Sequence, residues 1–309
     1  MTPEIFAEWF RLQGMRVVRT SSSYWVENAT GVYQAFPYHW VICPSDAELI
    51  QFLRGNRAMG LRYSTTWDAP YGMASYHVMT GRGYALENLS RWARKNILRG
   101  LRNCRVEQIS FDYLAEAGWD LQVDTLARQR RRSKMERLQW QTLCQSASDL
   151  PGFEAWGAFV AGRLSASIIT FLMNDCAYML YQQCLREFLR QHVNNALGYV
   201  VTKALVERPE IKSILYGLQS LDAPPSVDEF KFRMGYIAKP VRQRVVFHPL
   251  ARALVNPASH TVLKSVCRLR PGAPTLSKAE GMLRFFLQGQ RPLDEQNRPL
   301  FVSAINAER

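Results

Sequence analysis

Residues 153–184 read FEAWGAFVAGRLSASIITFLMNDCAYMLYQQC. Two apolar, β-rich runs, Phe153–Val160 and Leu164–Met173, meet at Ala161-Gly162-Arg163, which has the length and the glycine of a tight hairpin. Asn174-Asp175 makes a second turn and Cys176–Cys184 a third strand, so the stretch predicts an antiparallel meander. Downstream, Asn194–Glu207 predicts a helix with Leu197, Val200, Val201, Ala204 and Leu205 on its buried side, stopped by Pro209. Lys212–Leu218 reads as a strand, Ser226–Met234 as a short helix ended by Gly235, and Val241–Phe247 as a last strand before His248-Pro249. The order is β–β–β–α–β–α–β. A helix of that length between two strands normally returns the chain parallel to its start, so Cys176–Cys184 and Lys212–Leu218 are expected to be parallel neighbours.

The first half alternates strands and helices. Tyr24–Val26 and Val32–Cys43 predict a hairpin around Asn28–Gly31, and Asp46–Gly55 a helix with Ser45 as its N-cap. Leu61–Thr66 and Met73–Met79 are expected strands. Leu86–Leu101 reads as a helix with Leu89, Ala93, Ile97 and Leu101 on one face and Arg91, Arg94, Lys95, Arg99 and Arg102 largely off it. Cys104–Ile109 is a further candidate strand. A second basic cluster follows, from Arg128 through Arg130, Arg131, Arg132 and Lys134 to Arg137. It reads either as a solvated face or as an anion-binding rim. Beyond Leu250, Ser259–Leu269 and Ser277–Gln288 predict helices that either dock on the body or meet an anionic membrane surface.

The tight hairpin feeding a long strand and then a helix resembles the C-terminal half of the GNAT superfamily, with 153–163 matching its second and third strands. Glu229-Phe230-Lys231-Phe232-Arg233-Met234-Gly235-Tyr236 resembles the FKxxFG signature of FemAB-like proteins, Met234 standing where that signature has an aromatic. The two motifs cover roughly a third of the chain. The resemblance implies an α/β (mixed α+β) fold: a GNAT-like mixed sheet flanked by helices, in two tandem GNAT-like units. It places a degenerate unit at 1–120, an acyltransferase unit at 121–250 and a helical extension at 251–309. The implied activity is N-acyl transfer from acyl-CoA, acetyl-CoA or an acyl carrier protein to an amine of a small molecule or glycan precursor. Two alternatives stay open: aminoacyl transfer from charged tRNA, as some FemAB-like proteins perform, and a non-catalytic binding protein on the same fold.

In that superfamily the two parallel strands splay, and a helix N-terminus aimed at the gap offers unpaired N–H groups and a positive dipole end to a pyrophosphate. The expected cofactor-binding residues are therefore Arg190, Gln191, Asn194 and Asn195 at that helix start, with Lys231 and Arg233 for further phosphate. The superfamily's loop pattern, Q/R-x-x-G-x-G/A, meets Arg190-Gln191-His192-Val193-Asn194-Asn195-Ala196 here, without either glycine. Acyl transfer to an amine needs a deprotonated amine, a stabilised oxyanion and a proton for the leaving group. Tyr216, Asp222 and Glu229 are the catalytic candidates, because they lie on or after the second splayed strand. Gln182 and Gln183 are expected at the cleft or at the core edge, His192 near the cofactor loop, and His39 and His77 as packing histidines.

Composition sets the bounds. The chain has 309 residues, 47% hydrophobic and 21% charged, enough to bury a sizeable core. A net charge of +13 favours anionic partners: a phosphate-bearing cofactor, tRNA or an anionic membrane face. The six cysteines form no CxxC pair and the five histidines no HExxH, so no metal is expected. The start of the chain lacks a signal-peptide pattern, and a cytoplasmic location is the default expectation.

Overall fold

The computed structural model describes residues 1–129, 135–221, 225–270 and 273–297. Eleven strands follow in chain order: β1 Val17–Arg19, β2 Tyr24–Ala29, β3 Val32–Phe36, β4 Gly60–Thr65, β5 Met73–Gly81, β6 Arg105–Ile109, β7 Phe153–Val160, β8 Arg163–Met173, β9 Cys176–Cys184, β10 Ser213–Leu218 and β11 Ile237–Phe247. The α-helices are α1 Pro3–Leu12, α2 Asp46–Gly55, α3 Arg91–Asn103, α4 Phe111–Ala117, α5 Trp119–Arg128, α6 Arg137–Ser148, α7 Val193–Val206, α8 Pro225–Arg233, α9 Pro249–Arg252, α10 Pro257–Leu269 and α11 Pro274–Gly289.

Contacts gather the chain into two units that interleave along the sequence. The first comprises 1–13, 78–217 and 224–237; the second comprises 14–77, 218–223 and 238–309. The sequence reading divides the chain at 120 and 250 instead. The first thirteen residues join the later strands because α1 is an aromatic wedge. Phe6 stacks on Phe171 (4.9 Å between ring centroids), Trp9 lies against Phe153 (5.0 Å), and the Trp9 indole donates to the Leu143 carbonyl (3.2 Å). Burying three such rings removes enough apolar surface from water to outweigh proximity in sequence.

The first unit carries the expected order. Its strands run β10-β9-β8-β7-β6, antiparallel from β6 through β9, with β10 parallel to β9 through the α7 crossover. The hairpin turn between β7 and β8 sits at Ala161 and Gly162, both at positive φ. The expected long helix at 86–101 is instead a 3-10 turn, Leu86–Asn88, followed by α3. Ser90 breaks the run by capping α3, accepting from the Ala93 N–H at 3.2 Å. The buried face of α3 is Ala93, Asn96, Ile97 and Gly100, and Leu101 points out.

The second unit has strand order β1-β2-β3-β4-β11-β5. The β2–β3 hairpin ends at Phe36, earlier than expected, since Pro37 has no N–H for a ladder. α2 starts where Ser45 accepts from Glu48 N–H (3.2 Å) and returns the chain to β4, parallel to β3. Trp25, Tyr33, Leu49, Phe52, Leu53, Leu61 and Tyr63 form one core, and Met73, Val245, Met282, Phe285 and Phe286 a second under α11. Between β4, β5 and β11 lies a buried polar layer. Arg62 donates to Gln243 Oε1 (2.6 Å) and to the Gln219 carbonyl (2.6 Å), and Ser75 donates to Gln219 Oε1 (2.8 Å). His77 is fully buried. Its Nε2 hydrogen-bonds the Ser64 hydroxyl at 2.8 Å, but its Nδ1 has no partner, so this packing histidine is only half satisfied.

Two tests follow. Gly235 has φ +88°, and a Cβ there would lie 2.3 Å from Leu89 Cδ2. Gly235→Ala should therefore cost about 1–3 kcal/mol, read as a thermal-melt decrease of several degrees. Burial, then the charges of Lys239, His39 and Arg62, push His77 down from 6.5 to about 3. The unfolded chain binds a proton that the folded one refuses, so this contribution to stability is complete above pH ~6.5 and is lost as pH falls towards ~3. Melts across that range should show a shallower slope for His77→Gln than for the wild type.

Candidate active site at the parting of two strands

β9 and β10 are registered through three pairs, Ser213↔Cys176, Ile214↔Ala177 and Leu215↔Tyr178, and the ladder ends there although both strands continue. The cause is local. Between Leu180 and Gln183, β9 places Tyr181 and Gln182 opposite the single β8 residue Ile168, with Tyr181 at φ +46°. Such a bulge bends and twists its strand. The far end of β9 then finds its partners on α5: Cys184 N–H donates to Thr125 Oγ1 (3.1 Å), and the Gln183 amide donates to Gln122. The bulge also separates the roles of the two glutamines. Gln183 is buried at the core edge, whereas Gln182 faces the gap.

Side chains from four elements, β9, β10, α7 and α8, meet in the gap. Tyr216, on β10, donates its hydroxyl to Gln182 Oε1. Gln182 Nε2 donates in turn to Asn194 Oδ1 (2.8 Å) and to the Asn194 carbonyl (3.3 Å) at the start of α7. From α8, Lys231 reaches back over the Tyr216 ring (5.0 Å from Nζ to centroid) and pairs with Asp228 at 2.8 Å. Both partners of that ion pair are nearly buried, at 12% and 11% exposure. Burial pushes the Tyr216 phenol well above its ordinary value, with the Tyr84 and Asp228 charges acting in the same sense, so it is a proton donor at neutral pH. Tyr236 closes the floor, edge-on to Tyr216 (4.9 Å) and hydrogen-bonded to Thr202.

The helix tip is not bare. His192 occupies the left-handed region (φ 59°, ψ 27°), and its carbonyl accepts from the Asn195 and Ala196 N–H groups (3.0 and 3.1 Å). The Asn194 N–H is directed at the Cys184 thiol, whose pKa burial pushes up to about 12. Gly100 of α3 lies against this turn: a Cβ there would be 2.3 Å from the His192 carbonyl oxygen. Desolvation and then the Arg99 charge lower the His192 pKa, with Lys95 adding in the same sense and a side-chain hydrogen bond to Asn195 opposing them.

The candidate residues divide accordingly. Tyr216, Asn194 and Lys231 are brought together. Asn195 turns inward, its amide on the Met234 sulfur (3.1 Å). Arg190 is exposed and Gln191 half-buried beside α3, where Asn103 donates to the Gln191 carbonyl (3.0 Å). Glu229 and Arg233 pair with each other on the outer face of α8 (3.6 Å), Arg233 stacking over Trp92. Asp222 lies outside the described residues, as do Arg130–Lys134. Asp228, not the expected Glu229, is the carboxylate of α8 that pairs with Lys231 beside the gap. Its signal was the i, i+3 spacing to Lys231, which puts both on one helical face. Among the described residues no group of three metal-ligating side chains is placed to hold an ion. The second unit carries an open depression lined by Tyr63, Tyr71 and Arg244, but Arg244 is already held by Asp46 (3.0 Å).

No family model matches the chain, and no curated protein matches it in sequence. Solved structures match it in fold. FemX aligns with a TM-score of 0.57 and 10% identity, over 81% of this chain and 93% of that one. The C-terminal domain of a putative lysylphosphatidylglycerol synthetase from Agrobacterium fabrum gives 0.54 and 12%, over 87% and 93%. L-PGS from Bacillus licheniformis gives 0.51 and 9%, over 80% and 91%. The chain thus shares its fold with these three structures.

The Lys231–Asp228 pair is testable as a unit. Lys231→Met leaves a carboxylate nearly buried without its cation and should cost about 3 kcal/mol or more. Adding Asp228→Asn should restore much of that, a coupling read from a double-mutant cycle by denaturant unfolding.

Proposed function

We propose that this protein transfers an acyl group to an amine at the parting of β9 and β10, with Lys231 and Tyr216 as its acting groups. The observation that carries the reading is a nearly buried ammonium and a protonated phenol, held 5.0 Å from cation to ring centroid in a gap between two strands. The acceptor nitrogen attacks the donor's carbonyl carbon. Charge builds on the carbonyl oxygen, and the Lys231 ammonium meets it in a partly dehydrated site where such a charge counts most. The carbon–sulfur or carbon–oxygen bond then breaks, and the proton released by the amine passes to the leaving atom, which the Tyr216 hydroxyl steadies as a hydrogen-bond donor. Asp228 holds Lys231 in place.

An acyl thioester on CoA or a carrier protein is the first donor to test, since the strand edges beyond Leu215 and Tyr178 can take an extended pantetheine arm. A second reading, aminoacyl transfer from tRNA, is favoured by one specific observation. The α7 tip turns its amides onto His192 and Cys184 instead of towards a pyrophosphate, while α3, packed beside it, exposes Arg91, Arg94, Lys95, Arg99 and Arg102. The name of one fold neighbour, lysylphosphatidylglycerol synthetase, denotes an aminoacyl ester of an anionic lipid.

Thermal shift with acetyl-CoA, a long-chain acyl-CoA and charged tRNA separates the two, because a ligand at ~100 times its Kd adds about 2.7 kcal/mol. CoA derivatives should raise the melting temperature by several degrees, and Lys231→Ala should weaken that binding. Stabilisation by tRNA alone moves the assignment to the second reading. In turnover, Lys231→Ala should lower kcat about 100-fold or more. Activity unchanged by Lys231→Ala removes Lys231 from the site, and no response to any donor removes the reading.

A further inference from the structure

We infer that α9 and α10 form a docking face for an anionic phospholipid bilayer. This rests on the surface of the second unit alone and is independent of the reaction assigned above. Among the described residues, six large apolar side chains are more than 60% exposed: Leu138, Ile237, Leu250, Leu254, Val262 and Leu269. Four of them fall within the twenty residues 250–269, at 81%, 74%, 64% and 82% exposure. α10 buries none of its residues, although its N-terminus is fully built: Asn256 accepts from Ser259 N–H (2.9 Å), and Pro257 opens the first turn. It is tethered to α11 by His260 against Glu280 at 2.8 Å. α10 is therefore a well-formed helix whose outer face no described residue covers. Ala258, Val262, Ser265 and Leu269 recur at steps of four, three and four, one stripe along a helix, and Leu254 is exposed in the turn just before it.

Charge selects the occupant. Between Phe247 and Glu280 the sequence has no acidic residue, but it has Arg252, Lys264, Arg268, Arg270 and Lys278. Lys264 and Arg268 flank the stripe and are exposed. Exposed aliphatic side chains beside unopposed cations are what a helix lying in an anionic lipid interface presents. A second copy of this chain is the poorer fit, because symmetric pairing would bring Lys264, Arg268 and Arg270 of both copies together. Nucleic acid is also poorer: residues 249–284 contain no Phe, Tyr or Trp on which a base could stack, and His260 is held by Glu280.

The test is co-sedimentation of the full chain with vesicles of about equal parts phosphatidylglycerol and phosphatidylcholine, against phosphatidylcholine alone, at low and high salt. Binding is expected only to the anionic vesicles and should weaken with salt. Leu254→Ser with Leu269→Ser should reduce partitioning at least ~10-fold, and each of Lys264→Gln and Arg268→Gln about fivefold. All four positions are exposed, so unchanged melting curves are expected alongside. No binding to anionic vesicles overturns the inference, as does binding that the serine pair leaves intact. It is equally overturned by a dimer, seen in light scattering, that the serine pair dissolves, or by tRNA binding that replaces vesicle binding and depends on Lys264 and Arg268.

Discussion

The bulge at Tyr181–Gln182 is the constraint on which the rest of the site depends. A parallel pair would otherwise zip along its whole length, since each buried backbone group left unpaired carries a cost. Putting two β9 residues opposite Ile168 turns the strand out of register, and α5 supplies the hydrogen bonds that β10 would have given. The gap is thus held open by satisfied groups on its far side. It is bridged only by side chains, through Tyr216 to Gln182 and on to Asn194, and side chains can be exchanged for a ligand's polar atoms more readily than a backbone ladder can.

The same constraint decides which charges matter. α8 is amphipathic in charge: Glu229 and Arg233 face outward and pair with each other, where water screens them, while Asp228 and Lys231 face the gap. A surface pair of the first kind contributes little to stability. The second kind tolerates desolvation only because each member has the other. This leaves a cation fixed beside the gap between β9 and β10. The tyrosines around it, Tyr84, Tyr216 and Tyr236, are all pushed upward by burial and stay protonated, so the pocket offers donors and one positive charge.

The left-handed His192 shows how a loop without glycine can build the turn that starts α7. Its conformation lets the carbonyl cap two amides of α7, and the Cys184 thiol faces a third. Glycines in this position would leave backbone N–H groups accessible to phosphate. Here the amides of the first turn already have partners within the chain.

Periodicity alone determined the strand and helix order of 153–247, because alternation, turn residues and Pro209 are local signals that burial later satisfied. Ser45, the hairpin at Ala161-Gly162 and the glycine ending α8 were legible for the same reason. The FKFRMG segment marked the region of the site but not which of its charges faces inward: Glu229 and Asp228 are neighbours in sequence, and only the rotation of α8 against β10 separates them. Nor could the chain's first thirteen residues be assigned to the later strands, since the contact of Phe6 and Trp9 with Phe171 and Phe153 joins positions roughly 150 residues apart. Local physics wrote the elements; long-range packing chose which side chains of those elements share a space, and the chemistry resides in that choice.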